Sequence, residues 1–173
     1  MFYFINQEDQ NRVWQRVPWH FGNSLIVHEK PEGSSNISKL GFNKADFWVQ
    51  IHDIHILYMN RRMAKWLAEQ IGEAVEIPSE SRECWGKFMK VKVQIDVAKP
   101  LKRWLRLRLG KSDEVIMVGL KYERLHEFCY ACGMIGHGIK ECQDGEARKV
   151  ALEVSSTKFG SWLKALPFQK SKP

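Results

Sequence analysis

KVKVQIDVAKPLKRWLRLRL, residues 90–109, is the stretch on which the fold turns. In Lys90–Val97 the odd positions are apolar (Val91, Val93, Ile95, Val97) and the even ones polar. Trp104–Leu109 repeats the rule: Leu105, Leu107 and Leu109 alternate with Arg106 and Arg108. A period of two is the mark of a strand with one buried and one exposed face. Joined through Ala98-Lys99-Pro100, the two runs are expected to pair antiparallel, with a third strand over about 114–121 completing a meander. Lys90, Lys92, Arg106 and Arg108 then share one face of adjacent strands. Like charges opposed across a sheet are destabilising, so such a face is better tolerated when it meets an anion. Lys102, Arg103 and Trp104 add charge and an aromatic ring near the turn.

The segments upstream supply the rest of an α+β domain. FYFI (2–5) reads as a short strand, and Asn6 is a plausible cap for a helix that carries Val13, Trp14 and Val17 at helical spacing before Pro18 stops it. PWHFGN turns into a strand over Ser24–His28. Because strand, helix and strand start at the first residue, a truncated reading frame is expected. Residues 31–46, rich in Gly, Ser and Asn, read as a linker, and Phe47–Ile54 as a strand. Asn60 caps a helix through Ile71, with Met63, Trp66, Leu67 and Ile71 on one face and Gly72 as its stop. Ala74–Ile77 is a further short strand, and 78–86 a loop holding an isolated Cys84. Trp14, Trp19, Trp48 and Trp66 are assigned to core packing. The expected architecture is an antiparallel sheet with two or more helices over 1–125, a small CCHC zinc knuckle over 126–144 on a short tether, and a mostly irregular tail over 145–173 with a short helix near 156–165.

Composition bounds the function. The 173 residues are 44% hydrophobic and 27% charged, an ordinary globular balance. The longest apolar run, Val115–Leu120, is far too short to span a bilayer, and MFYFINQED turns polar too soon for a signal peptide. Four cysteines with no export signal suggest an intracellular, reducing compartment, nucleus or cytoplasm, where metal binding is favoured over disulfides. Net charge is +7, yet residues 86–112 alone hold nine basic residues against Asp96, a local +8. Basic character concentrated in this way is expected of a surface that meets an anionic partner.

FCYACGMIGHGIKEC (128–142) carries the strongest chemistry. Cys129, Cys132, His137 and Cys142 follow C-x2-C-x4-H-x4-C. Two thiolates two residues apart bite one metal through a tight turn, and the His and last Cys close a tetrahedron around one Zn²⁺. Gly133 and Gly136 sit where so compact a loop needs unusual backbone angles. Four protein ligands leave no open position for water, so the expected role is structural, with roughly 10 kcal/mol or more of binding free energy available to fold the loop.

This segment resembles the zinc knuckle of retroviral and retrotransposon nucleocapsid-like proteins. VWQRVPWHFGNSLIVHE (13–29), FWVQIHDIH (47–55), MAKWLAEQIGEAVEI (63–77), FMKVKVQIDVAKPLKRWLRLRL (88–109), YERLHEFCYACGMIGHGIKEC (122–142) and KFGSWLKA (158–165) are similar, block by block, to a plant family. That family is the domain of unknown function preceding a CCHC knuckle in the gag-like, first-open-reading-frame proteins of LINE-type retrotransposons. The resemblance implies single-stranded RNA or DNA as partner in a ribonucleoprotein particle; self-association or ribonucleoprotein assembly is the expected mode, and the short apolar runs give no expectation of a membrane partner. It also implies a base platform built from an aromatic after the first Cys and an apolar residue two after the His, positions held here by Tyr130 and Ile139. Met134 stands where a basic residue is frequent, while Lys140 keeps one nearby charge.

The expected nucleic-acid contacts are therefore Tyr130, Ile139 and Lys140 in the knuckle, with Lys90, Lys92, Arg103, Arg106 and Arg108 on the basic strands. No phosphate-binding glycine loop, nucleophile elbow or H-E-x-x-H is present, so an enzyme is not expected. His52 and His55 are three apart and fall on opposite faces of a strand, which argues against a shared metal. The competing reading is a zinc-stabilised protein–protein interaction module using the tail around Trp162 and Leu163.

Overall fold

The computed structural model describes residues 2–31, 33, 36–78, 87–110 and 113–166; Cys84 and most of the expected 78–86 loop lie outside them. Helix α1 spans Gln7–Gln15, and the Asn6 side chain accepts from the Asp9 N–H as its cap. Residues 2–5 form no strand: no partner strand reaches them, and Phe2, Tyr3 and Ile5 are exposed. The strand pair at this end is instead the hairpin β1 (Trp19–Phe21) and β2 (Ser24–Ile26), so PWHFGN holds a strand of its own.

The central sheet is built from β3 (Lys44–His52), β4 (Glu73–Glu76), β5 (Met89–Asp96), β6 (Trp104–Arg108) and β7 (Val115–Glu123), in the order β4-β5-β3-β7-β6, all antiparallel. A short β8 (Lys164–Ala165) runs parallel to the end of β7. The expected pairing of residues 90–97 with 104–109 is not made. β5 pairs with β3 and β4, and β6 pairs with β7 alone. Alternation states which face a residue takes, and nothing about which strand lies beside it. The connection through 97–103 is also too long for a tight hairpin, and it is diverted to the knuckle, where the Leu101 N–H donates to the Gly133 carbonyl at 2.9 Å.

One sheet face is the core. Phe47, Val49 and Ile51 of β3, Met89, Val91 and Val93 of β5, and Val118, Leu120 and Tyr122 of β7 are all 2% exposed or less. Helix α2 (Arg61–Ile71) covers this face with Ala64, Leu67, Ala68 and Ile71, capped by Asn60 as its sequence indicates. Trp66 is 44% exposed and does not join them, which corrects its assignment to the core. Gly72 ends the helix where a Cβ would lie 2.3 Å from the Gln94 carbonyl oxygen, so the chain passes tightly from α2 into β4 beside β5. Tyr122 donates its hydroxyl to the Lys102 carbonyl at 2.9 Å, and burial pushes its pKa well up.

Beyond the sheet, helix α3 spans Gly145–Glu153 with Asp144 as its cap. The tail's helix therefore lies there and not near 156–165, where a single 3-10 turn (Ser161–Leu163) leads into β8. Asp144 supplies the side-chain acceptor that starts a helix; the later segment has only Gly160 at the corresponding position, with no side-chain cap.

Candidate metal centre and nucleic-acid interface

The knuckle grows directly out of the sheet. After β7 the chain buries Leu125 and Phe128 in the main core, which replaces the expected tether with packed side chains. Phe128 and Ile135 then form an antiparallel bridge, and the Cys129 N–H donates to the Met134 carbonyl while the Gly133 N–H returns to the Cys129 carbonyl, both at 2.8 Å. This turn brings two thiols to one point. Gly133 and Gly136 take φ of +81° and +101°, the left-handed region in which a side chain is strained. At Gly133 there is a second constraint, because a Cβ would sit 2.3 Å from the Phe159 ring.

The ligand atoms of Cys129, Cys132, His137 and Cys142 all lie within 4.8 Å of one another. A tetrahedron with Zn–S of about 2.3 Å and Zn–N of about 2.0–2.1 Å has a sulfur–nitrogen edge of about 3.5 Å. Cys132 Sγ and His137 Nε2 are 3.4 Å apart. Cys129 and Cys142 are buried, and burial beside them pushes the Cys132 thiol up to about 11. A bound cation would reverse that rise by favouring the thiolate form. The donor set of three sulfurs and one imidazole nitrogen fits zinc and is coordinatively closed.

A family described as a zinc knuckle matches residues 95–144. Cys129, Cys132, His137 and Cys142 form a CCHC zinc knuckle arranged for one metal ion, consistent with one Zn²⁺. The match also takes in β6 and β7, so the strand hairpin and the knuckle fall within one matched span. The uncharacterized protein At4g02000 of Arabidopsis thaliana is 22% identical over 131 residues, which cover 75% of this chain and 41% of that protein. The chain thus spans about two fifths of the length of the curated relative it matches. No solved structure matches it.

The structure gathers Tyr130, Ile139 and Lys140 on the wall of one groove of about 840 Å³. Phe128 joins them, its ring centroid 4.9 Å from that of Tyr130, and Lys164 from β8 holds its ammonium 5.9 Å from the Phe128 ring. Lys164 and His126 were not legible as site residues. Lys164 arrives from 24 residues past Lys140, and only the β7–β8 pairing brings it there. Glu127 and Glu141 also line the groove, so its charge is mixed.

The basic strand residues part company. Lys90, Lys92, Arg106 and Arg108 do lie on one sheet face, opposite the core, but β3 and β7 separate the lysines from the arginines. Lys92 is 5% exposed; its ammonium donates to the Trp14 carbonyl at 3.2 Å beneath the N-terminal segment. Lys90 is paired with Glu123 at 2.8 Å and lies 4.8 Å from the Trp48 ring. Gln50 donates to the same Glu123 carboxylate, at 2.8 Å. Both lysines are engaged by the rest of the chain, Lys92 buried and Lys90 partly exposed in its ion pair. Arg106 and Arg108 remain exposed on β6. Arg103 donates to the Lys158 carbonyl at 2.8 Å and stacks on Trp104, 3.8 Å from its centroid.

Elsewhere, His52 contacts Gln50 and Phe88, whereas the His55 ring nitrogen accepts from the Leu57 N–H. The two do not share a site. Trp162 is 52% exposed but Leu163 is fully buried, so the tail does not present them as a pair.

Proposed function

We propose that this chain is a retroelement-derived, gag-like protein that binds single-stranded RNA or DNA, acting as an intracellular binding protein and not as an enzyme. The observation that carries the reading is that Tyr130, Ile139 and Lys140, the knuckle contacts implied by the resemblance, line one groove beside the metal cluster. An aromatic ring with an apolar wall offers a face to any base, and one such stack contributes about 1–3 kcal/mol whatever the base identity. Lys140 and Lys164 line the same groove and are the cations available there to phosphates next to that base. On the sheet, Arg106 and Arg108 are the cations open to a backbone, while Lys90 and Lys92 are committed within the fold. Successive phosphates along a ribonucleoprotein strand are the ligands such a surface meets.

The test is fluorescence anisotropy of the full chain with a labelled oligonucleotide, with and without a zinc chelator, over a salt series. Binding that falls on chelation and falls linearly with the logarithm of salt supports the reading. Absence of binding by the zinc-loaded chain at low salt overturns it.

A further inference from the structure

The sheet face opposite the core has a covered half and an open half. The covered half is the β5–β3 side, where Lys92 reaches the Trp14 carbonyl and Lys90 pairs with Glu123. The open half is the β6–β7 hairpin. Trp104, Arg106 and Arg108 project there from β6, opposite Gly119, Met117 and Val115 of β7. Trp104 and Met117 are each 44% exposed and Val115 is 40% exposed. With Met117 and Val115 beside it on the hairpin, Trp104 belongs to an exposed apolar patch interleaved with arginines, the kind of surface that marks an interaction site.

The surroundings of Trp104 indicate what that is. Its cross-strand partner is Gly119, which has no side chain to cover the ring. The Arg103 guanidinium stacks on the indole at 3.8 Å and is itself held by the Lys158 carbonyl at 2.8 Å. The ring is thus braced from one side in a fixed position. The Asp53 carboxylate stands 3.4 Å from where a Cβ of Gly119 would be. A carboxylate there repels a phosphate and accepts from the N–H groups of a base. Two and four residues along the same strand, Arg106 and Arg108 are exposed and spaced by about 6.7 Å, two strand rises, and neither takes part in an ion pair among the described residues. Base beside the ring, phosphates beside the arginines, is the order this arrangement selects.

We infer that Trp104 is a second base-stacking platform, separate from the knuckle groove, and that Arg106 and Arg108 hold the phosphates that follow the stacked base on a single strand. The inference rests on the reading that the chain binds single-stranded nucleic acid, and adds a sheet site to it. Arg103 links the two sites physically, since it also lies 5.1 Å from the Phe159 ring that packs against Gly133 of the knuckle.

The experiment compares full-length wild type with Trp104→Leu, which keeps apolar bulk on the strand, and Trp104→Phe, which keeps an aromatic face. Anisotropy is read with labelled oligothymidylates of about 5 and about 15 nucleotides, lengths within the range of single-strand sites. Trp104→Leu is expected to weaken binding of the longer probe by about 5- to 140-fold, the equivalent of one stacked base. It should leave the salt slope of the long probe unchanged, and Trp104→Phe should recover most of the loss. Equal affinity of wild type and Trp104→Leu for the long probe overturns the inference while leaving the knuckle reading standing. Failure of wild type to bind either probe overturns both. Matched thermal melts of the three proteins separate any of these outcomes from unfolding.

Discussion

Gly133→Ala puts the packing of the knuckle under the sharpest test. The residue sits at φ +81°, where a side chain costs about 1–2 kcal/mol. The new methyl would also lie 2.3 Å from the edge of the Phe159 ring, which is 3% exposed and has nowhere to retreat. Overpacking of this kind adds about 1–3 kcal/mol. The expected total is about 2–5 kcal/mol, paid by the metal-bound fold. It should appear as a fall in melting temperature of roughly 5–20 °C for a chain of this size. Because the loop folds with its metal, the zinc dissociation constant measured against a competing chelator should rise in parallel. A double-mutant cycle isolates the clash. Phe159→Ala alone leaves a cavity that costs about 3–5 kcal/mol, but in that background Gly133→Ala should retain only the backbone cost of about 1–2 kcal/mol. Strict additivity of the two substitutions, or an unchanged melt and zinc affinity in Gly133→Ala, would refute the proposed contact between knuckle and tail.

Two further outcomes are expected. Replacing Arg106 and Arg108 together by Glu should reduce the salt dependence of single-strand binding by about 0.7 per lost phosphate contact with little change in thermal stability, since both side chains are exposed; an unchanged slope would remove them from the interface. His20 stacks on His126 with ring centroids 3.8 Å apart, and burial, then the His126 and Arg124 charges, lower its pKa to about 4. The folded chain therefore refuses a proton that the unfolded chain accepts near 6.5, so this contribution to stability is complete above about pH 6.5 and is lost as pH falls toward 4. Melts of the zinc-loaded protein between these limits should fall less steeply for His20→Phe than for wild type, and parallel profiles would contradict the assignment.

What could be read from the sequence was local. The four ligands of the knuckle lie within 14 residues, and a metal fixes their geometry irrespective of the rest of the fold. Asn60 and Gly72 mark the ends of α2 because capping is decided within a single helical turn. The face of each residue in β5 and β6 was also legible, since alternation is intrinsic to a strand. Strand neighbours were not: β5 and β6 carry the same pattern whether they touch or stand apart with β3 and β7 between them. The same limit hid the fate of Lys92. Its cover comes from Trp14, 78 residues away, so a cation that alternation places on an exposed face ends up enclosed. Trp66 errs in the opposite direction, because helical spacing put it beside Leu67 while the packing of α2 leaves it at the rim. Groove membership of Lys164 depends on a parallel pairing of two residues, which no local signal announces.

Native mass spectrometry of the purified, reduced full chain addresses the central claim most directly. The account predicts one zinc per chain, a mass increase of one zinc less two protons, with the metal held by the thiolates of Cys129, Cys132 and Cys142 and the neutral imidazole of His137. A folded chain that carries no metal after exposure to stoichiometric zinc would contradict it.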